Sequence, residues 1–183
     1  MDADRFITGV CRSFAAHWLA ARPPGAVMPS RDDLDPTEMP RLLPNLIVYD
    51  VGDSPDTVLY RLVGTAIVSR WGYDPTGRSY AAVVGREDGR ASAEALRRVA
   101  HEPCAMRLVR RQQRPSGALD DVEVCCLPVW NERQQATQAM TASTPMTASE
   151  RAADADADPV RERRLLDRRF FDLATGTRLA ETG

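Results

Sequence analysis

The sequence predicts an α+β fold, in which a five-stranded antiparallel sheet carries short helices on one face and is preceded by an amphipathic N-terminal helix. Two early segments are rich in β-branched and aromatic residues and are joined by a short turn, which is typical of a β-hairpin. Helical patterns follow the hairpin, and three further strand patterns follow the helices. This order of elements gives a single sheet with the helices between its second and third strands.

The composition argues against several classes of protein. The chain has 183 residues, a net charge of -2, 43% hydrophobic residues and 27% charged residues, which fit one globular domain with appendages. The small net charge argues against a general nucleic-acid binder, although all 24 basic residues are arginine. No run approaches the roughly 20 apolar residues of a membrane span, and the acidic start is unlike a signal peptide. We therefore expect a cytoplasmic location.

The N-terminal helix is predicted over residues 4–22, within an N-terminal unit of residues 1–25. Its apolar stripe recurs every four residues. The stripe consists of Phe6, Val10, Phe14 and Trp18. Two prolines and a glycine at 23–25 end the helix. The stripe must be covered, either by the rest of this chain or by the same helix of a second subunit. A homodimer through this helix is the predicted partner contact.

The central part of the chain is predicted to form a hairpin and then a strand-to-helix corner. Residues 46–51 and 57–63 are the two strands, and residues 52–56 form the turn between them. Gly64 ends the second strand, and residues 65–71 then form a short amphipathic helix. A further helix is predicted at residues 92–101.

The C-terminal half is predicted to supply three strands and one disordered insertion. The strands lie at residues 104–111, 121–130 and within 160–173. Residues 131–158 hold mainly Gln, Ala, Thr, Ser and Asp, a composition that favours disorder. We expect the last strand to pair with the strand at 121–130 across this insertion. Residues 174–183 are expected to be a flexible tail.

Several short blocks of sequence resemble a subfamily of bacterial PAS-domain proteins. The blocks are MPSR at 28–31, DP at 35–36, LLP at 42–44, YRLVGT at 60–65 and DPTGR at 74–78. The resemblance implies a PAS-like domain over residues 26–173, whose curved sheet and short helices surround a pocket. It also implies a non-catalytic sensory or regulatory module that acts by dimerisation or by docking a signalling partner. It names no cofactor and no catalytic residue.

The candidates for lining a pocket lie around the corner between the second strand and the first short helix. They are Tyr60, Leu62, Ile67, Trp71 and Tyr80, with Val124 and Cys126 from the later strands. An open cavity bounded by such residues suits a small, apolar or partly aromatic ligand. Alternatively, the same side chains simply fill the core, as apolar stripes at these periods usually do.

Two other kinds of site are compatible with the sequence. His17 and His101 are the only histidines, and either could ligate haem, whereas two histidines alone do not make a zinc site. An arginine-rich sheet face could bind anions or nucleic acid, although the acidic residues nearby argue for an ordinary solvated face. Its members are Arg107, Arg110, Arg111, Arg114, Arg161, Arg163, Arg164, Arg168 and Arg169.

Three smaller features have alternative interpretations. Arg61 either binds a ligand carboxylate or faces solvent on the outer side of the sheet. Asp74 and Arg78 either stand at a ligand entrance or belong to the turn. The four cysteines are expected to be buried, reduced and structural.

Overall fold

The computed structural model describes residues 1–113, 119–147 and 165–181. Its central element is a seven-stranded sheet. The strands are β1 (Leu46–Val51), β2 (Val58–Val63), β3 (Cys104–Gln113), β4 (Leu119–Asn131), β5 (Ala136–Pro145), β6 (Leu165–Asp172) and β7 (Arg178–Leu179). Their order across the sheet is β2-β1-β5-β4-β3-β6-β7, and every neighbouring pair is antiparallel.

Local sequence signals set the ends of the helices. The helices are α1 (Gly9–Ala21), α2 (Thr65–Trp71), α3 (Tyr80–Val84) and α4 (Arg86–His101). The Thr8 hydroxyl caps α1 by accepting a hydrogen bond from the Cys11 N–H at 3.3 Å. Gly72 ends α2 in the left-handed region at φ 78°, which glycine adopts without steric cost. Within the described ranges, none of the helices is long and apolar enough to cross a membrane.

The two faces of the sheet are buried against different helices. The face toward α1 is called the outer face, and the face toward α2, α3 and α4 is called the inner face. Outer-face strand residues in the core are Leu46, Val48, Ala105, Cys125, Leu127, Val129, Met140, Ala142 and Phe171. Inner-face strand residues in the core are Ile47, Tyr49, Val58, Tyr60, Cys104, Met106, Cys126, Ala139 and Phe170. Neighbouring residues such as Cys125 and Cys126 thus belong to opposite cores, as strand alternation requires.

The apolar stripe of α1 packs on the sheet of its own chain. Phe14 and Trp18 are fully buried, and the Trp18 indole N–H donates to the Pro128 carbonyl at 2.8 Å. The carboxylate of Glu123, on β4, accepts from the backbone N–H groups of Ile7 and Thr8 at 2.8 and 2.7 Å. A homodimer through this stripe would therefore require α1 to leave the sheet, so the predicted interface does not fit the structure.

The predicted α+β class, the antiparallel sheet and the N-terminal helix are confirmed. The predicted number of strands was wrong, because β5 lies inside the expected insertion at 131–158 and β7 lies inside the expected tail at 174–183. The rest of the insertion from residue 148, and the last two residues of the tail, lie outside the described residues. β5 was missed because it is built from small and polar residues, whose burial depends on the neighbouring strands.

The predicted pairing of the last strand was also wrong. β6 pairs with β3 from the register Cys104↔Asp172 onward, whereas β4 has β5 as its other neighbour. Since β5 occupies the position beside β4, the last strand is added at the free edge of β3 instead. The short β7 then pairs with β6 through Phe170 and Phe171. Strand formation by the residues around Phe170 was predicted, but the neighbour was not.

Candidate functional site

The inner face holds most of the residues that were predicted to line a pocket. Tyr60, Ile67, Tyr80 and Cys126 belong to one buried cluster beneath the short helices. Val124 is buried on the same face of β4, opposite Ser143 of β5. This cluster lies between the sheet and helices α2, α3 and α4.

Two predicted residues lie elsewhere or at the margin. Leu62 is 43% exposed, so its predicted place in the pocket is wrong. The cause is a bulge at Arg61, because Tyr49 pairs with Tyr60 while the next pair is Val48 with Leu62. The extra residue turns Leu62 away from the inner face. Trp71 is partly buried and packs against the edge of the inner cluster.

Three tyrosines form the aromatic part of the inner face. The ring centroids of Tyr49 and Tyr60 are 5.1 Å apart, and those of Tyr49 and Tyr80 are 5.7 Å apart. Tyr60 and Tyr80 stack at 5.5 Å with an interplanar angle of 16°, and Trp71 meets Tyr60 edge-on at 6.0 Å. Sequence reasoning missed Tyr49, although its place in a strand beside the predicted second strand was an available signal.

Burial keeps two of these phenols neutral. Desolvation is the largest cause that raises the pKa of Tyr49 well above its ordinary value, and the neighbouring tyrosines raise it further. The pKa of Tyr60 is raised for the same reasons, against an opposing effect of the Arg110 charge. The two hydroxyls therefore act as hydrogen-bonding groups rather than as bases near neutral pH.

Arg110 brings a positive charge to this aromatic cluster. It lies on β3, is partly buried, and donates from Nη1 to the Tyr80 hydroxyl at 3.3 Å. With the Gln112 amide turned so that its oxygen faces the guanidinium, that oxygen accepts from Nε and Nη2 of Arg110 at 2.8 and 2.7 Å. Both partners are neutral, and among the described residues no carboxylate pairs with Arg110.

Two buried hydroxyls on the inner face lack hydrogen-bond partners within the described structure. They belong to Thr141 and Ser143 of β5, each 1% exposed. Thr141 lies between Ile47 of β1 and Cys126 of β4, so it stands at the middle of the inner face. An unpaired buried hydroxyl costs free energy, and native structures usually pair such groups with protein, water or ligand.

The predicted arginine-rich face is not a free basic surface. Arg107 binds Glu123 at 2.9 Å and Asp167 at 3.3 Å, and Arg111 binds Asp121 at 2.7 Å. Two β6 arginines also have carboxylate partners. These pairs are Arg169–Asp167 and Arg168–Glu181, each at 2.9 Å. Four members of the predicted face lie outside the described residues. They are Arg114, Arg161, Arg163 and Arg164. The described part thus offers little unneutralised charge for an anionic polymer.

The remaining candidates do not face the inner cluster. His17 lies on α1, at the outer face, and His101 is exposed at the end of α4, so neither is placed to ligate a haem beside the tyrosines. Arg61 is exposed, in keeping with the solvent-facing interpretation. Asp74 accepts from the Thr76 N–H at 2.9 Å within its turn. Among the described residues, no cluster of three or more metal-ligating side chains occurs.

All four cysteines are buried as free thiols, in agreement with their predicted structural role. Burial is the largest cause that raises the pKa of each thiol. For Cys104 the pKa is raised to about 11, and for Cys11, Cys125 and Cys126 it is well above the ordinary value. These thiols therefore stay protonated and poorly nucleophilic near neutral pH.

Similar solved structures have low sequence identity to this chain. A light-oxygen-voltage domain studied with a flavin analogue is 15% identical, with a TM-score of 0.48, and the match covers 65% of this chain and 89% of that one. The VqmA dimer of Vibrio cholerae is 11% identical, with a TM-score of 0.49, and the match covers 68% of this chain and 57% of that one.

The PAS domain of an HTR-like protein from Haloarcula marismortui is 19% identical, with a TM-score of 0.41, and the match covers 60% of this chain and 90% of that one. Among curated proteins, none matches the sequence.

A family model gives a more extensive match. The model of the PAS domain matches residues 9–144, from the start of α1 almost to the end of β5. The match therefore includes strands β1 to β5 and the three helices of the inner face, whereas β6 and β7 lie beyond it. Because this match covers well over half of the sequence, the chain belongs to the PAS-domain family.

Proposed function

We propose that this protein is a sensory or regulatory PAS module that binds a small molecule between the inner face of its sheet and helices α2 to α4. The observation that carries the proposal is the pair of buried, unpaired hydroxyls of Thr141 and Ser143 on that face. A core that served packing alone would hold apolar groups at these positions, because unpaired hydroxyls destabilise the fold. The narrower bacterial subfamily and the cytoplasmic location stay predictions.

The proposed role is binding without catalysis. The inner-face thiols Cys104 and Cys126 have raised pKa values, and both histidines lie away from the tyrosines. A nucleophile and its base would have to lie within hydrogen-bonding distance. The inner face instead presents aromatic rings, hydroxyls and one guanidinium, which are groups that recognise a ligand.

The signal is proposed to leave the domain by dimerisation or by docking of a partner protein. The apolar stripe of α1 is already buried on the sheet, so an oligomer of the folded chain would use other surfaces. Native mass spectrometry of the purified protein measures the oligomeric state and any retained small molecule together. A mass above that of the bare chain, lost on denaturation, would support the proposed pocket.

The pocket itself is tested by filling it. Ser143→Val adds bulk and removes a hydroxyl on the inner face, whereas Ser13→Val makes the same change on the exposed side of α1. We expect compounds that raise the Tm of the wild-type protein to lose their effect on Ser143→Val and to keep it on Ser13→Val. If binding compounds act equally on both variants, their site lies outside the inner face and the proposal fails.

A further inference from the structure

We infer that the ligand of the inner face is a small organic carboxylate, and that its carboxylate is received by Arg110 in place of the Gln112 side chain. This inference rests on the proposed function, because it names the chemical class of the molecule bound there. It follows from the charge around Arg110, from the geometry of its hydrogen bonds and from the position of the unpaired hydroxyls.

Arg110 differs from the other arginines described on β3 and β6. Arg107, Arg111, Arg168 and Arg169 each have a carboxylate within 2.7 to 2.9 Å. Arg110 instead has the Tyr80 hydroxyl and the Gln112 amide oxygen, and within the described residues it has no anionic partner. A partly buried guanidinium among aromatic rings loses hydration, and a counter-charge would offset that loss. The inner face therefore has a place for one negative charge.

The hydrogen bonds of Arg110 show how that charge would be held. With the Gln112 amide turned, which gives up the 3.4 Å hydrogen bond that the Trp71 indole N–H otherwise donates to Gln112 Oε1, Nε and Nη2 of Arg110 both donate to the single Gln112 oxygen, at 2.8 and 2.7 Å. These two N–H groups form the parallel fork that binds the two oxygens of a carboxylate. The neutral Gln112 amide thus occupies the position at the Arg110 guanidinium that a bound carboxylate would take. A ligand carboxylate that displaced it would exchange a neutral hydrogen bond for a charge-assisted one, and the Tyr80 hydroxyl would flank the new contact.

The rest of the ligand would lie toward the unpaired hydroxyls. Leu108, one inner-face position from Arg110, pairs with Val124, which pairs in turn with Ser143. Ser143 is therefore two strands away, roughly 10 Å across the sheet and 7 Å along it. An arginine side chain and a single-ring acid together span such a separation. The stacked rings of Tyr60 and Tyr80 offer a flat apolar wall for the body of the acid.

The first experiment does not require the natural ligand. Gln112→Glu places a permanent carboxylate at the fork of Arg110, so the variant should resemble the bound state. We expect its Tm at neutral pH to rise by roughly 2–4 °C. In Arg110→Met, the same Gln112→Glu change should lose this stabilisation, because the added charge then has no partner. An unchanged or lowered Tm for Gln112→Glu in the wild-type background would overturn the inference.

The second experiment measures binding with defined probes. The probes are acetate, succinate, benzoate and 4-hydroxybenzoate, each with its neutral amide, and inorganic phosphate. We expect at least one carboxylate, but not its amide, to raise the Tm of the wild-type protein. Isothermal titration should show at least about tenfold weaker binding to Arg110→Met and to Gln112→Glu. Arg61→Met, which removes an exposed arginine, is the control and should bind as the wild type does.

The outcomes separate the two proposals. If Ser143→Val abolishes the binding of neutral compounds, and no carboxylate binds to the wild-type protein, the proposed pocket stands and the carboxylate inference fails. If carboxylates and phosphate bind equally to the wild type and to Arg110→Met, the contact is a general surface effect and the inference also fails. If no probe and no retained molecule binds the inner face at all, both proposals fail together.

Discussion

The buried polar side chains on the strands differ between the two faces of the sheet, although the buried Nε2 of His17 on α1 also has no hydrogen-bond partner within the described residues. On the outer face, the fully buried Glu123 receives the N–H groups of Ile7 and Thr8 and the guanidinium of Arg107. On the inner face, Thr141 and Ser143 keep unpaired hydroxyls, and within the described chain Arg110 has only neutral partners. The difference indicates that the outer face is built to hold α1 in place. The inner face keeps unused hydrogen-bonding capacity, which stability alone does not favour.

The largest expected effect comes from breaking the buried network of the outer face. Glu123→Ala removes the nearer of two carboxylate partners of Arg107 and leaves two N–H groups at the start of α1 without an acceptor. We expect a loss of about 3–5 kcal/mol in the free energy of unfolding, measured by urea denaturation. Asp121→Ala, which breaks a more exposed pair with Arg111, should cost only about 1 kcal/mol. Equal losses would show that Glu123 does not anchor the helix.

The next largest effect is a loss of folding stability at alkaline pH, to which buried groups on both faces contribute. Burial raises the pKa of the thiols of Cys11 and Cys125 above 9.0 and the pKa of the phenols of Tyr49 and Tyr60 above 10.0. The folded state therefore keeps protons that the unfolded chain releases, so stability is full below pH 9 and falls as the pH rises further. Each group adds a slope of up to about 1.4 kcal/mol per pH unit.

The buried thiols of both faces should act from about pH 9, whereas the inner-face phenols should act from about pH 10. Urea denaturation in steps from pH 7 to pH 10.5 measures the slope. Tyr49→Phe should reduce it above pH 10, and Tyr73→Phe, at an exposed tyrosine, should leave it unchanged. Stability that increased with pH in this range would contradict the assigned shifts.

Two threonine-to-valine substitutions, one on each face, should change the free energy of unfolding by a smaller amount and in opposite directions. Thr141→Val replaces an unpaired inner-face hydroxyl by a methyl group of similar size, and we expect no loss of stability and a gain of up to about 1 kcal/mol. Thr8→Val removes the hydroxyl that caps α1, and we expect a loss of about 1 kcal/mol. Differential scanning calorimetry compares the two. A loss for both variants would mean that Thr141 has a structural partner.

The smallest change in stability is expected at the edge of the sheet formed by β6 and β7. Glu181→Gln removes an ion pair with Arg168, at 2.9 Å, in which the glutamate is 50% exposed. We expect less than about 1 kcal/mol, and a smaller effect still at high salt, because solvent and ions screen such pairs. Parallel urea titrations at low and high salt test this. A loss as large as that of Glu123→Ala would remove the contrast between buried and exposed ion pairs.

Local sequence signals predicted the early elements well. The predicted strand at 46–51 and the helix at 65–71 coincide with Leu46–Val51 and Thr65–Trp71. A run of β-branched and aromatic residues in the strand and the glycines on either side of the helix carry this information within a few residues of sequence. β5 was missed because ATQAMTASTP has a composition that is equally typical of disordered segments. Only its position between β1 and β4 explains why Ala139, Thr141 and Ala142 are buried.

Local sequence signals also predicted part of the candidate site. Tyr60, Ile67, Tyr80 and Cys126 follow simple strand and helix periods, so their burial on one side could be anticipated. Leu62 follows the same alternation, but the bulge at Arg61 reverses its direction. Arg110 looked like one of many surface arginines, because the sequence does not show which of them meet carboxylates.

The sequence by itself determined the α+β class, the early hairpin and its helical corner, and the membership of the PAS family, since these depend on periodicity and short motifs. The tertiary structure alone decided that α1 covers the outer face, that β5 enters the centre of the sheet and that β6 extends its edge. It also decided that Arg110 faces tyrosines while its neighbours face carboxylates. The physical reason is that strand pairing and bulges set the direction of each side chain, and both depend on residues far apart in the chain.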